Sequence, residues 1–254
     1  MRFDQHFVTD EDVLSRIMEL ADIQEDEVVL EIGPGTGNLT KFLVEGAKKV
    51  YAIELDKSLE EDLAGLEKQH KNLEITWGNA LDLEWPEFDK MVSNIPYSLS
   101  EPLVQKLAFC DFKKAVLLVP RNFSEIVLGR KNTKLAVIAQ TFFDIAPDIE
   151  VYPDSFSPPP AVGSKVLVIS PKKPKTSQEV IFWEFLRQKD KIAKNALREA
   201  IIRGYEKEGR KMTKKEAKKA MEVLKCGKNL GLRVSCLGMD ELLEIRQFLD
   251  NLGI

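Results

Sequence analysis

Apolar residues along the first 170 positions switch repeatedly between a helical period and short unbroken runs. Val13, Ile17, Leu20 and Ala21 fall on one helical face. Thr9 precedes them as the expected N-cap, and Asp10, Glu11 and Asp12 supply acids to the first turn. The run Val28–Ile32 predicts a strand that ends in a cluster of glycines. Helices are expected over 38–46 and 57–69, with a strand at Lys49–Glu54 between them. Apolar runs at 73–77, 90–93 and 114–119 predict strands, and 101–109 and 121–128 predict helices. The last strands are expected at 141–146 and 164–169. Strands alternating with helices argue for a mostly parallel sheet covered on both faces.

After Ile169 the pattern changes. Ser170-Pro-Lys-Lys-Pro-Lys-Thr-Ser177 reads as a linker. Beyond it only helical spacings occur, first at Ile181, Phe182, Phe185 and Leu186, then at Ile192, Ala196, Leu197, Ala200 and Ile201. Lys214–Leu224 is helical and basic, and Met239–Leu252 is a final helix carrying Leu242, Leu243, Ile245, Leu249 and Leu252. Two domains are therefore expected, an α/β domain over 1–170 and an all-helical one over 171–254.

Charge sharpens that division. The chain of 254 residues has a net charge of −4, but residues 1–170 hold 17 Lys and Arg against 29 Asp and Glu, and residues 171–254 hold 20 against 12. An acidic body with a basic C-terminal module suggests an anionic macromolecular partner for the module, the alternative being a solvated lysine face. No apolar run is long enough to span a bilayer, and the N-terminus lacks a signal core, so a cytoplasmic protein without a membrane role is expected. Cys110, Cys226 and Cys236 have no metal-binding spacing, and His6 and His70 are the only histidines. Neither a disulfide, a zinc site nor a Ser-His-Asp triad is expected.

The segment Val-Val-Leu-Glu-Ile-Gly-Pro-Gly-Thr-Gly places Gly33, Gly35 and Gly37 between a strand and a helix. Glycines permit a tight turn and close approach of a ligand to the main chain, and the helix that follows presents free N–H groups. Glu54 ends the next strand, where an acid can accept from both hydroxyls of a ribose. The spacing is GxGxG, with Glu31 before the first glycine, which suits S-adenosylmethionine better than a dinucleotide. A βα turn without a ligand is the plainer alternative.

The strand at 90–93 runs into Asn94-Ile95-Pro96-Tyr97. An adenine amino group is a poor nucleophile because its lone pair is delocalised into the ring. Acceptors on its two N–H bonds, the Asn94 side-chain oxygen and the Ile95 carbonyl or its neighbour, favour a pyramidal nitrogen with a localised lone pair. Tyr97 offers a flat face for a flipped base. In isolation the tetrapeptide also reads as an Asn-Pro turn with a core tyrosine.

Taken together, these motifs resemble the ribosomal RNA small-subunit adenine dimethyltransferase family of KsgA/Dim type, over roughly residues 4–170. Gln5-His6-Phe7-Val8 resembles the family's N-terminal lid over the cofactor, Glu31–Thr40 its glycine loop, and Ile53-Glu54-Leu55-Asp56 its ribose-binding strand end. Gly78-Asn79-Ala80-Leu81 sits where the family holds the cofactor's adenine. Phe156-Ser-Pro-Pro-Pro-Ala-Val-Gly-Ser164 resembles a later loop whose phenylalanine stacks on the target base.

The resemblance implies a class I methyltransferase, with a Rossmann-like sheet of seven strands, the last antiparallel, and a small helical RNA-contacting domain. It implies S-adenosyl-L-methionine as cofactor and N6-dimethylation of two adjacent adenosines near the 3′ end of small-subunit rRNA, in a ribosomal precursor particle, by a monomer. The catalytic residues are then Asn94, Pro96, Tyr97 and Phe156. The cofactor residues are Gln5, His6, Val8, Gly33, Gly35, Glu54, Leu55, Asn79 and Ala80, with Asn94 touching the methionine end.

Three departures stand out. Asn79 replaces a usual aspartate, and its carbonyl oxygen is expected to face the adenine amine. Asp4 replaces a usual glycine, and Arg121-Asn122-Phe123 replaces the usual aromatic-Gln helix start. Arg121, Arg130 and the run Arg210–Lys219 are candidates for phosphate contact or for a solvated face. Other readings are a large-subunit adenine methyltransferase of the macrolide-resistance type, a ribosome-assembly factor without catalysis, and a small-molecule methyltransferase.

Overall fold

A computed structural model describes residues 5–223 and 230–252; Asp4, Leu224 and Cys226 lie outside the described residues. The chain divides into two units, 1–130 with 143–171, and 131–142 with 172–254.

In the first unit, β1 (Phe7–Val8) leads to α1 (Glu11–Ala21), β2 (Val28–Ile32), α2 (Asn38–Gly46), β3 (Lys49–Glu54), α3 (Glu60–Gln69) and β4 (Leu73–Trp77). β5 (Lys90–Asn94), α4 (Ser100–Leu107), β6 (Lys114–Pro120) and α5 (Arg121–Val127) follow. The chain then enters the second unit as α6 (Lys134–Phe142) and returns as β7 (Phe143–Val151), β8 (Phe156–Ser157) and β9 (Ser164–Pro171).

Seven strands form one sheet in the order β4-β3-β2-β5-β6-β9-β7. All neighbours are parallel except β9, which lies antiparallel between β6 and β7. The central strands are apolar almost throughout because helices cover both faces: Val29, Leu30, Ile32 and Ala115 to Val119 are all buried. The two edges alternate instead. On β4, Leu73 is buried while Glu74 and Thr76 are exposed. On β7 the pairing is interrupted between Pro147 and Glu150, where a residue without an N–H blunts the edge.

Two local expectations are corrected. Asp10, not Thr9, caps α1, its Oδ1 accepting from the Asp12 and Val13 N–H groups at 3.1 and 3.4 Å; a carboxylate in that place also meets the positive helix end. The strand expected at 141–146 begins at Phe143 and runs to Val151, and the residues before it form α6. The α6 stretch Leu-Ala-Val-Ile-Ala is apolar at every position, so neither a period of 2 nor of 3.6 is visible in it.

The second unit holds α6 with α7 (Ser177–Arg187), α8 (Ala193–Lys207), α9 (Lys214–Val223) and α10 (Met239–Asp250). Thr176 caps α7 in a box with Glu179, which stops the linker and starts the helix. Phe142 meets Trp183 of α7 at 5.9 Å between ring centroids, which ties α6 to the helices that follow the sheet. On α9, Ala217 and Met221 face inward and Lys214, Lys215, Lys218 and Lys219 face solvent. Counting Lys131 and Lys134 here moves the sequence balance from +8 to +10 for this unit and from −12 to −14 for the first.

Candidate active site

The strand order reverses beside β2, so the carboxyl ends of β2, β3 and β5 open onto a crevice. Gly33, Gly35 and Gly37 in the loop after β2 have φ of 72°, 60° and 80°. A Cβ at Gly35 would lie 2.6 Å from the Phe7 ring, and one at Gly33 would lie 3.1 Å from Pro96. Glycine therefore serves the turn and also lets two other segments close over it.

Glu54, at the end of β3, is buried. Its Oε1 accepts from the Leu55 and Asp56 N–H groups at 2.8 Å each, and its Oε2 accepts from Gly35 N–H at 3.1 Å. The carboxylate is thereby oriented toward the glycine loop; Oε1 is filled by its two N–H donors, and Oε2 keeps a lone-pair direction for a further donor. Beside it is a cavity of about 100 Å³ bordered by Gln5, Gly33, Glu54, Leu55, Asn79, Ala80 and Pro96. Leu55 is 47% exposed there, an apolar flank that the fold itself leaves uncovered. Asn79 differs from expectation. Its Oδ1 accepts from Leu81 N–H at 3.0 Å and its Nδ2 donates to Asp82 at 2.8 Å, so both ends of the amide already serve the local turn.

A second, smaller cleft is bordered by Gln5, His6, Phe7, Gly33, Glu54, Asn94, Pro96 and Tyr97. The N-terminal segment forms one wall and is tied down at four points. Gln5 Nε2 donates to Asp56 at 2.9 Å, Asn38 Nδ2 donates to the Val8 carbonyl at 2.9 Å, and Asn94 Nδ2 donates to the His6 carbonyl at 2.7 Å. His6 Nδ1 donates to the Pro158 carbonyl at 2.9 Å, beside the β1–β8 pairing of Phe7 with Ser157 and Val8 with Phe156.

Asn94 ends β5, and Ile95 N–H bonds the Leu118 carbonyl at 3.2 Å, fixing the strand end. A carbonyl such as that of His6 can only accept. The Asn94 amide must therefore turn its nitrogen to His6, and Oδ1 is left to accept from elsewhere. The Tyr97 hydroxyl is 2.5 Å from Ser164 Oγ, and its ring lies 5.5 Å from that of His6. Glu31, fully buried behind the loop, accepts from the Thr40 hydroxyl at 2.7 Å. Burial pushes its carboxyl up to about 8, against the Thr40 bond and with help from the charge of Glu54.

All but one of the expected site residues thus gather around these two cavities or the segment that closes them. Phe156 departs. It is 3% exposed and belongs to the hydrophobic core with Val8 and Val151, so in this arrangement its ring is not presented to a base. Asp56, Asn38 and Ser164 hold other site residues in place. In the sequence they stand inside the glycine loop, the strand-end and the later-loop motifs, with no role of their own marked by the pattern.

The sequence profile of the ribosomal RNA adenine dimethylase family matches residues 1–236. The chain belongs to this family. A protein of Pyrococcus abyssi named probable ribosomal RNA small subunit methyltransferase A is 34% identical to the dimethylase over 98% of the chain and 91% of its own length. One of the same name from Methanococcoides burtonii is 37% identical over 79% of the chain and 77% of its own length. The crystal structure of a dimethyladenosine transferase from Plasmodium falciparum superposes with a TM-score of 0.65, at 27% identity over 98% of this chain and 99% of that one. The 23S rRNA methyltransferase ErmE gives 0.64 at 22% identity, over 96% and 100%, a likeness of fold. The α/β sheet of this dimethylase is accordingly a methyltransferase fold, and its activity is rRNA adenine dimethylation.

Proposed function

We propose that the two cavities hold S-adenosylmethionine and a flipped adenosine of small-subunit rRNA, and that the base is methylated twice at N6. The carrying observation is the bond from Asn94 Nδ2 to the His6 carbonyl, which leaves Oδ1 as an acceptor next to the glycine loop. Glu54 takes the ribose hydroxyls, and Leu55 covers one face of the cofactor's adenine. Ala80 and Asn79 border that ring. Gln5, His6 and Val8 hold the lid segment over the cofactor. The glycine loop and a buried carboxylate with spare acceptor capacity suit such a nucleoside.

When bound, the cofactor supplies an electrophilic methyl group on a sulfonium. Asn94 Oδ1 and the Ile95 carbonyl accept the two N–H bonds of the target amine, and Pro96 fixes the turn between them. Localising the nitrogen lone pair at that point favours in-line attack on the methyl carbon. The amine proton becomes acidic only as the new N–C bond forms and passes to water, so no side chain must remove it beforehand. Tyr97, held by Ser164, stacks on the base. A monomethylated amine retains one N–H for the same acceptors, so a second turn follows without a new group.

The helical unit, with its charge of +10, supplies affinity for the rRNA. The targets are two adjacent adenosines near the 3′ end, modified in a precursor particle in the cytoplasm by a monomer. Among the described residues no helix is long and apolar enough to cross a membrane. Radiolabelled methyl transfer to purified small subunits, large subunits and free rRNA tests the substrate. Label confined to large subunits overturns it, and nucleoside mass spectrometry should show dimethyladenosine.

A further inference from the structure

Three strand ends meet at Ser164. It starts β9, with Pro120 of β6 opposite on one side and Val151 of β7 opposite on the other. Ser164 is buried, and its Oγ is the partner of the Tyr97 hydroxyl. One residue further out stand Arg121, Gly163 and Tyr152, and Arg121 N–H donates to the Gly163 carbonyl at 3.0 Å. Neighbouring strands are about 5 Å apart, so this outer row lies beside the Tyr97 cleft.

Its side chains are unusual for a fold's edge. Tyr152 is 69% exposed, the most exposed large hydrophobic among the described residues, and Val162 next to the row is 41% exposed. A ring so exposed adds little to stability. The Arg121 side chain is 62% exposed and reaches Glu150 Oε2 only at 3.6 Å, while Lys165 holds Glu150 Oε1 at 3.0 Å. Lys165 thus already neutralises Glu150, and Arg121 keeps donors for an outside anion. In a unit whose sequence balance is −14, an exposed aromatic beside a weakly engaged guanidinium marks a place where a polyanion with flat bases can rest.

We propose that Tyr152 is the platform on which the nucleotide next to the target adenosine stacks, with Arg121 on the phosphate between them. This rests on reading the Asn94–Tyr97 cleft as the pocket for the target base. Holding the neighbour keeps the strand splayed while one adenosine is turned inward, and stacking accepts any base because each has a π-face.

The test uses the full-length enzyme and rRNA fragments carrying 2-aminopurine on one or the other side of the target. In the wild type one of the two positions should lose fluorescence on binding. Tyr152→Ala should abolish that quench and raise KM for RNA by about tenfold, with kcat and cofactor affinity unchanged. Tyr152→Phe and Tyr152→Trp should keep both quench and KM. Arg121→Ala should reduce the slope of log affinity against log salt by about 1. An unchanged quench and KM in Tyr152→Ala, beside an inactive Asn94→Ala, overturns the platform and leaves the pocket standing. Wild-type turnover in Asn94→Ala removes the pocket and the platform with it.

Discussion

Asn94 donates to the His6 carbonyl and offers Oδ1 to the cleft, so its replacement by alanine removes an acceptor and unties the N-terminal segment together. Asn94→Ala should lower kcat by about two to three orders of magnitude, the scale seen when a transition-state hydrogen bond is lost. Cofactor affinity should change less. Single-turnover methyl transfer with saturating cofactor checks this. Glu54→Ala should weaken cofactor binding by about 1–3 kcal/mol, read by calorimetry; unchanged affinity would take Glu54 out of the site. Glu31 carries a pH signature. Its folded carboxyl titrates near 8, above the ordinary 4.5, so the folded state keeps a proton that the unfolded state releases between those values. Stability should therefore fall as pH rises from about 5 to 8, by at most about 1.4 kcal/mol per unit from this group. It should level off above 8, and Glu31→Gln should flatten the decline in Tm. At this scale the motif residues were legible because each is a rare residue type at a strand end. Phe156 and Asn79 were not. The ring of Phe156 is drawn into the core by Val8 and Val151, and the Asn79 amide is claimed by its own turn, outcomes decided by neighbours far in sequence or by local competition.

β1 and β8 are two residues each, too short to pair stably without help. The side-chain ties from Gln5, Asn38 and Asn94 provide that help, which makes the N-terminal segment a strap whose hold can be tuned. Gln5→Ala combined with Asn38→Ala should speed cofactor release and increase hydrogen exchange at residues 6–8, with the melting temperature nearly unchanged. A stopped-flow off-rate equal to wild type would mean that the strap does not gate the cofactor. Two-residue strands leave no periodicity, which is why the sequence showed this segment only through its resemblance to a lid. The alternating strands and helices up to α5 were legible because each apolar run is bounded by polar residues, glycine or proline. α6 was hidden by its uniform apolarity. It gains its identity from the helices it meets, including the contact of Phe142 with Trp183.

For the whole molecule, the placement of α6 means that neither unit is a continuous stretch of chain. Cutting after about residue 172 would strip α6 of its partners and bare Leu135, Val137 and Phe142, so charge substitution is the cleaner probe of RNA affinity. Replacing Lys214, Lys215, Lys218 and Lys219 with alanine should weaken rRNA binding and flatten its salt dependence through reduced counterion release, while cofactor affinity holds. A salt slope equal to wild type would assign those lysines to solvation alone. The position of β9 has a consequence for order of synthesis. It is the last strand made, yet it lies between β6 and β7 and is the neighbour through which β7 joins the sheet. A nascent chain that has delivered β5 already contains the glycine loop, Glu54 and Asn94. Until Ser164 emerges the Tyr97 hydroxyl lacks the bond to its Oγ, and β6 has not yet met β9. On the proposed function, the half that grips the methyl donor can thus take shape on the ribosome before Tyr97 is set to receive the base.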